Sequence, residues 1–154
     1  MNMTVLKHYY VVADVLVETI PPTNSTYIFD YTTKQWRDTR TLQDLKLAKL
    51  AYLKTARDSA INGTITWDNS TFDSDQVSQT RLMGVYLDAL SNPTLSQAWR
   101  LSNNTWRVLS ANDIKAIWAV LKAHLTTQFI KFATYEALVE SATTIAQVEA
   151  VTWS

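Results

Sequence analysis

Three times along this chain a hydroxyl residue stands three positions ahead of an acid or amide, and an apolar helical period follows. The pairs are Thr41 with Asp44, Ser110 with Asp113, and Thr144 with Gln147. In such a capping box the hydroxyl accepts from the third amide of the helix, and that residue's side chain accepts from the amide of the cap. The first helix carries Leu42, Leu45, Ala48, Tyr52 and Ala56 at helical spacing, with Leu47, Leu50 and Leu53 widening the apolar stripe. A stripe that broad is either sandwiched within the domain or set against another subunit. Gly63 is expected to end this helix, with Asn62 as the alternative left-handed residue. The second box opens the longest helix, where Ile114, Ile117, Trp118, Leu121, Leu125, Phe129, Phe132, Leu138 and Val139 keep the period, with room for a break near Thr134. The third opens a short helix lined by Ile145, Val148 and Val151 and closed by Trp153.

Between these helices the pattern changes from helical to alternating. Thr64 to Phe72 reads as a hairpin around Asp68–Asn69, with Trp67 and Phe72 sharing a face. A helix follows from about Asp75 to Leu90, with Val77, Leu82, Val85, Tyr86 and Ala89 inward, and Ser91–Asn92–Pro93 ends it. Asp73 or Ser74 is expected to cap it, while Asp75 favours its positive end. A further hairpin runs from Ala98 to Leu101 and from Thr105 to Leu109, with Trp99 and Trp106 expected on one side. Upstream, Val5 to Ile20 reads as strand with its apolar face at 9, 11, 13, 15 and 17, stopped by Pro21–Pro22 and a polar loop at 23–26. Tyr27–Phe29 and Gln35–Arg37 flank a second small hairpin. The chain thus reads as α+β. A β-rich N-terminal module (1–40) precedes a helical domain (41–154) with two short β-hairpins inserted between helices.

Composition narrows the function. Lys plus Arg and Asp plus Glu balance at 14 each, so no net field steers nucleic acid, and no nucleic-acid partner is expected. There is no cysteine, which removes disulfides and thiolate chemistry together. No apolar run reaches the length of a membrane span, so no membrane partner is expected. The start, Met1–Asn2–Met3–Thr4, lacks a basic segment followed by an apolar one. A protein acting where it is made, or leaving the cell inside a larger particle, is therefore expected. His8 and His124 fall in different modules, and His124 has no carboxylate within a turn, so it reads as a helix-surface or interface residue. Asp68, Asp73 and Asp75 miss the calcium-loop pattern, because its sixth position would be Asp73 where glycine is needed. No nucleophile elbow or phosphate loop exists, and the two glycines are Gly63 and Gly84. Gly84 falls inside a helix and points to close approach of another group. No catalytic residue, cofactor or metal site is expected. Trp67, Trp99 and Trp106 suit a sugar-stacking platform, although aromatic hairpins more often cap the core of a small α+β domain.

From Thr41 to Trp153 the order of motifs resembles a domain of unknown function found at the C-terminal end of bacteriophage tail-fibre assembly and related tail proteins. The resemblance rests on TLQDLKLAKLAYLKTARDSAI at 41–61, ITWDNSTFDSDQVSQTRLMG at 65–84, LSANDIKAI at 109–117 and ESATTIAQVEAVTW at 140–153. Trp67, Asp68, Phe72, Asp73, Asp75, Ser78, Gln79, Arg81 and Gly84 match the pattern, and Asn69 departs from the usual glycine. The resemblance implies no enzymatic residues. It implies a structural or adaptor part of a phage tail or baseplate, bound to fibre or neighbouring tail proteins and located in the virion. A transient fibre-assembly chaperone confined to the host cytoplasm and a carbohydrate-binding receptor module are the alternatives. The wide stripes add an expected homo-oligomer, trimeric if a fibre is involved. The expected interaction surface comprises Leu47, Leu50, Leu53, Trp67, Phe72, Trp99 and Trp106.

Overall fold

The computed structural model describes residues 8–20 and 27–154. The beginning of the expected first strand (5–7), the Pro21–Pro22 stop, the loop at 23–26 and the reading of Met1–Thr4 lie outside the described residues. Short antiparallel strands lead into a helical region that holds two short hairpins between its helices, the fold class read from the sequence. The chain forms two compact units, Met1–Leu45 and Lys46–Ser154.

In the first unit, β1 (His8–Val12) pairs with β2 (Val15–Thr19), and β3 (Tyr27–Asp30) pairs with β4 (Gln35–Asp38). The single strand expected up to Ile20 is thus a hairpin. Ala13 and Asp14 turn it with φ of 47° and 62°, the left-handed pair that a tight two-residue hairpin needs. The register sets Val12 opposite Val15, so odd positions before the turn and after it point to opposite sides. The expected face at 9, 11, 13, 15 and 17 is therefore split. Tyr9 and Val11 are exposed, while His8, Tyr10, Val17 and Thr19 are half-buried. Phe29 is the buried centre, its ring 5.3 Å from those of Tyr10 and Trp36 and 4.9 Å from that of Tyr31. The Trp36 indole N–H donates to Thr19 Oγ1 at 3.0 Å, which satisfies its polar edge and joins the two hairpins.

Next come α1 (Leu42–Ile61), β5 (Thr64–Trp67), β6 (Ser70–Asp73), α2 (Gln76–Ser91), β7 (Ser96–Arg100), β8 (Trp106–Ser110), α3 (Ala111–Ser141) and α4 (Ile145–Ala150). All three capping boxes form: Thr41 and Asp44 exchange bonds, as do Ser110 with Asp113 and Thr144 with Gln147. The main core gathers Ile65 and Phe72 from one hairpin, Leu109 from the other, Leu82 and Ala89 from α2, and Ile114, Ile117 and Leu121 from α3. Each contributor is the inward position of its own period, 2 on strands and near 3.6 on helices.

Several local expectations give way to tertiary structure. The helix α3 runs unbroken for 31 residues, and Thr134 donates its hydroxyl to the Ile130 carbonyl at 3.0 Å within it. Val77 is exposed rather than inward. Neither Gly63 nor Asn62 adopts positive φ at the end of α1. The buried Ser74 instead donates its hydroxyl to the Ile61 carbonyl at 2.8 Å, and its amide donates to the Gly63 carbonyl at 3.0 Å. The hydroxyl and amide of Ser74 therefore serve the end of α1 and do not cap α2, whose Gln79 side chain instead donates to the Ser74 carbonyl at 2.7 Å. The cap of α2 is Asp75, whose Oδ1 accepts from the amides of Val77 and Ser78 at 2.9 and 3.2 Å.

Candidate interaction surface

Lysines, an arginine and a histidine fasten α1 to the later helices. Lys46 Nζ donates to the Glu140 carbonyl at 2.7 Å, and Lys49 Nζ to the Val151 carbonyl at 2.8 Å. These carbonyls close the ends of α3 and α4, where helices leave acceptors unpaired and the dipole favours a cation. The Arg57 guanidinium lies over the rings of Phe129 and Phe132, at 5.1 and 4.7 Å from their centres. His124 Nε2 is 2.9 Å from the Ala60 carbonyl, and because a carbonyl only accepts, the proton sits on Nε2. His124 thus carries an internal bond between α1 and α3, a role no spacing rule in the sequence could show.

With that side occupied, the opposite face of α1 is open. Leu47, Ala48, Ala51, Tyr52 and Thr55 are all exposed. Leu47 is exposed, Leu50 is half-buried, and Leu53 is fully buried at 0% exposure. Leu53 therefore leaves the expected surface. It sits on the side of α1 turned into the protein, so the stripe is wide because it covers a core edge and an open face together.

The hairpin aromatics divide in the same way. Asp68 and Asn69 turn β5 into β6 with φ of 44° and 55°, and Ile65 pairs with Phe72. Trp67 and Phe72 share a face as expected, with ring centres 6.5 Å apart. That face is the inner one: Phe72 is buried at 2% exposure and belongs to the core. Trp67 is half-buried under the Arg107 guanidinium, which lies 5.0 Å from its ring centre. Arg107 also donates to Ser70 Oγ at 2.7 Å, to the Asp68 carbonyl at 3.0 Å and to the Asp68 carboxylate. One arginine from the second hairpin thereby holds the turn of the first. Alternation along β8 would have placed Arg107 beside Leu109, on the inner side, and this was the available signal.

Trp99 and Trp106 do not share a side. Trp99 pairs with Arg107 and Trp106 with Arg100, so the two indoles project from opposite faces of the hairpin. Trp99 is half-buried against the core, whereas Trp106 is 69% exposed beside the exposed Val108. A platform of coplanar hairpin tryptophans is therefore not formed.

Four of the aspartates are held by local hydroxyl and amide donors. Asp75 is held below the ordinary aspartate range by the Ser78 hydroxyl and amide, Asp44 by the Thr41 hydroxyl and amide, and Asp113 by the Ser110 amide and hydroxyl. Asp30 is lowered in the same sense by the amides of Thr33 and Thr32 in its turn. Among the described residues no three His, Cys, Asp or Glu side chains converge to hold a metal ion. No described helix is long and apolar enough to cross a membrane.

Apolar side chains that are about half exposed or more mark each of the three long helices. They are Leu47 and Tyr52 on α1, Val77, Met83, Leu87 and Leu90 on α2, and Phe129, Ile130 and Leu138 on α3. On α2 they flank Gly84, where an added Cβ would meet nothing within 4 Å. The close approach expected at Gly84 does not come from the described residues.

Fold and surface together define a small helical domain with interleaved hairpins, a mainly aliphatic core edged by half-buried aromatic rings, and exposed apolar side chains on its long helices. Residues 44–152 match the family described as domain of unknown function (DUF4376), and the chain belongs to that family. No curated protein and no solved structure matches the chain significantly.

Proposed function

We propose that this protein is a non-enzymatic structural or adaptor component of a bacteriophage tail or baseplate, binding a tail fibre or neighbouring tail proteins. The observation that carries the reading is apolar exposure on all three long helices, with Leu47 at 58%, Leu87 at 57% and Ile130 at 63%. Exposed apolar side chains grouped along a helix, as Leu47 and Tyr52 are around Ala48 and Ala51, suit association with another protein surface. The small residues Ala48, Ala51 and Gly84 beside these side chains leave room for another backbone to come near. The motif order from Thr41 to Trp153 supports the phage context, and the family itself supplies no activity. In this reading the open face of α1 packs against further copies around a rotation axis, a trimer where a fibre is engaged.

Mass spectrometry of purified, disassembled virions tests the reading. A fixed ratio of this chain to the major tail proteins is expected. Its absence from particles, with presence beside fibre protein in infected lysate, would replace the adaptor with an assembly chaperone. Light scattering of the isolated chain tests the symmetry, and a stable monomer at micromolar concentration would remove the trimer.

A further inference from the structure

A cleft of about 500 Å³ opens between α2 and the β7–β8 hairpin. One wall is a single face of α2 with Ser78, Arg81 and Val85, and the other is β7. All five consecutive positions from Gln97 to Leu101 line it. Alternate residues of a strand point to opposite faces, so an unbroken run along a cavity means that the strand turns its edge to it.

The backbone bonding shows what that edge offers. The Leu101 amide donates to the Thr105 carbonyl at 2.8 Å, and the Ala111 amide to the Leu95 carbonyl at 3.1 Å, both continuing the β7–β8 register. Hydrogen-bonded pairs alternate in an antiparallel ladder, so Gln97 and Trp99 bond to β8. The N–H and C=O groups of Ala98 and Arg100 then point away from it. Among the described strands β7 pairs with β8 alone. The Ala98 carbonyl accepts from the side chain of Gln97 at 2.9 Å. Further along the same side the Ser102 amide donates to the Thr71 carbonyl at 3.0 Å, so the open stretch of this edge is at Ala98 and Arg100.

Charge selects the occupant. Arg81 and Arg100 both line the cleft, and among the described residues neither forms an ion pair. One carboxylate, Asp73, lies on the same lining, leaving a local excess of positive charge in a chain with no net charge. The exposed Trp106, the cross-strand partner of Arg100, adds an apolar rim. We propose that the cleft binds an extended acidic peptide segment of a partner protein, added as a strand to the free edge of β7. Backbone groups of Ala98 and Arg100 pair with the peptide, and the Arg81 and Arg100 guanidiniums take its carboxylates. This rests on the adaptor reading and names the kind of partner segment it would engage.

The test uses the full chain and a library of nonapeptides in which Asp or Glu occupies alternate positions and the others vary. The tightest peptides are measured by fluorescence anisotropy and by amide hydrogen exchange. Arg81→Gln and Arg100→Gln are each expected to weaken binding by about tenfold or more, as loss of a charged hydrogen bond does. Peptide N-methylation at alternate positions should abolish binding. Saturation should slow exchange of the Ala98 and Arg100 amides and leave those of Gln97 and Trp99 unchanged. No binding at millimolar peptide, or binding indifferent to both arginines, would overturn the proposal. So would occupation of the cleft by an acidic oligosaccharide, such as oligogalacturonate, without slowed exchange at Ala98 and Arg100. None of these outcomes bears on the virion measurement, which stands or falls by itself.

Discussion

Gly84 sits inside α2 with its backbone helical and, among the described residues, no neighbour within 4 Å of where a Cβ would stand. Replacing it by alanine therefore isolates one effect. Alanine restricts the unfolded chain and favours the helix, by about 0.8–1 kcal/mol over glycine at an interior position. No overpacking offsets this, because the new methyl enters open space. Gly84→Ala should stabilise the isolated chain by about 0.8 kcal/mol or slightly more, raising the thermal midpoint by about 3–6 °C for a unit of this size. Urea unfolding followed by circular dichroism at 222 nm should show a later midpoint at unchanged slope. Ala89→Gly is the counterpart, because Ala89 is fully buried on the same helix and its methyl packs in the core. It should lose at least as much as Gly84→Ala gains. Loss of stability in Gly84→Ala at low protein concentration would refute the reasoning, since it would mean that the outer face of α2 is already covered. A gain in stability together with loss of self-association would place the covering partner at that face.

Three further outcomes follow from the same geometry. Ser74→Ala removes the buried hydroxyl that reaches the Ile61 carbonyl and should cost about 1–3 kcal/mol in chemical denaturation; a neutral result would mean that α1 ends without it. Ile117→Ala empties a site of 0% exposure in the main core and should cost about 2–5 kcal/mol, whereas Trp106→Ala should stay within about 0.5 kcal/mol because its indole is mostly in solvent. Acid should weaken the fold through Asp30, Asp44, Asp75 and Asp113, whose folded values lie below the ordinary aspartate value of about 3.9. Their contribution is complete above that value and disappears as pH falls through the lower folded values, so Asp75→Asn should flatten the acid limb of a stability–pH curve.

What the sequence determined by itself is what short-range chemistry controls. The starts of α1, α3 and α4 were legible because a capping box closes within four residues, whatever surrounds it. The turn at Asp68–Asn69 was legible for the same reason, since both residues tolerate positive φ. The turn at Ala13–Asp14 was not, because alanine gives no sign of it, and pairing with β2 imposes that conformation. For the tryptophans of the β7–β8 hairpin, only the folded register decided which side each one faces. Trp99 and Trp106 looked alike in composition, yet the register sends one inward and leaves the other in solvent. Tertiary structure also decided that Leu53 is core while Leu47 is surface, since a stripe records apolar positions without recording what covers them. The partners of Lys49, Arg107 and His124 lie 102, 39 and 64 residues away along the chain. Such contacts exist only after the helices and hairpins have packed, and no local pattern encodes them.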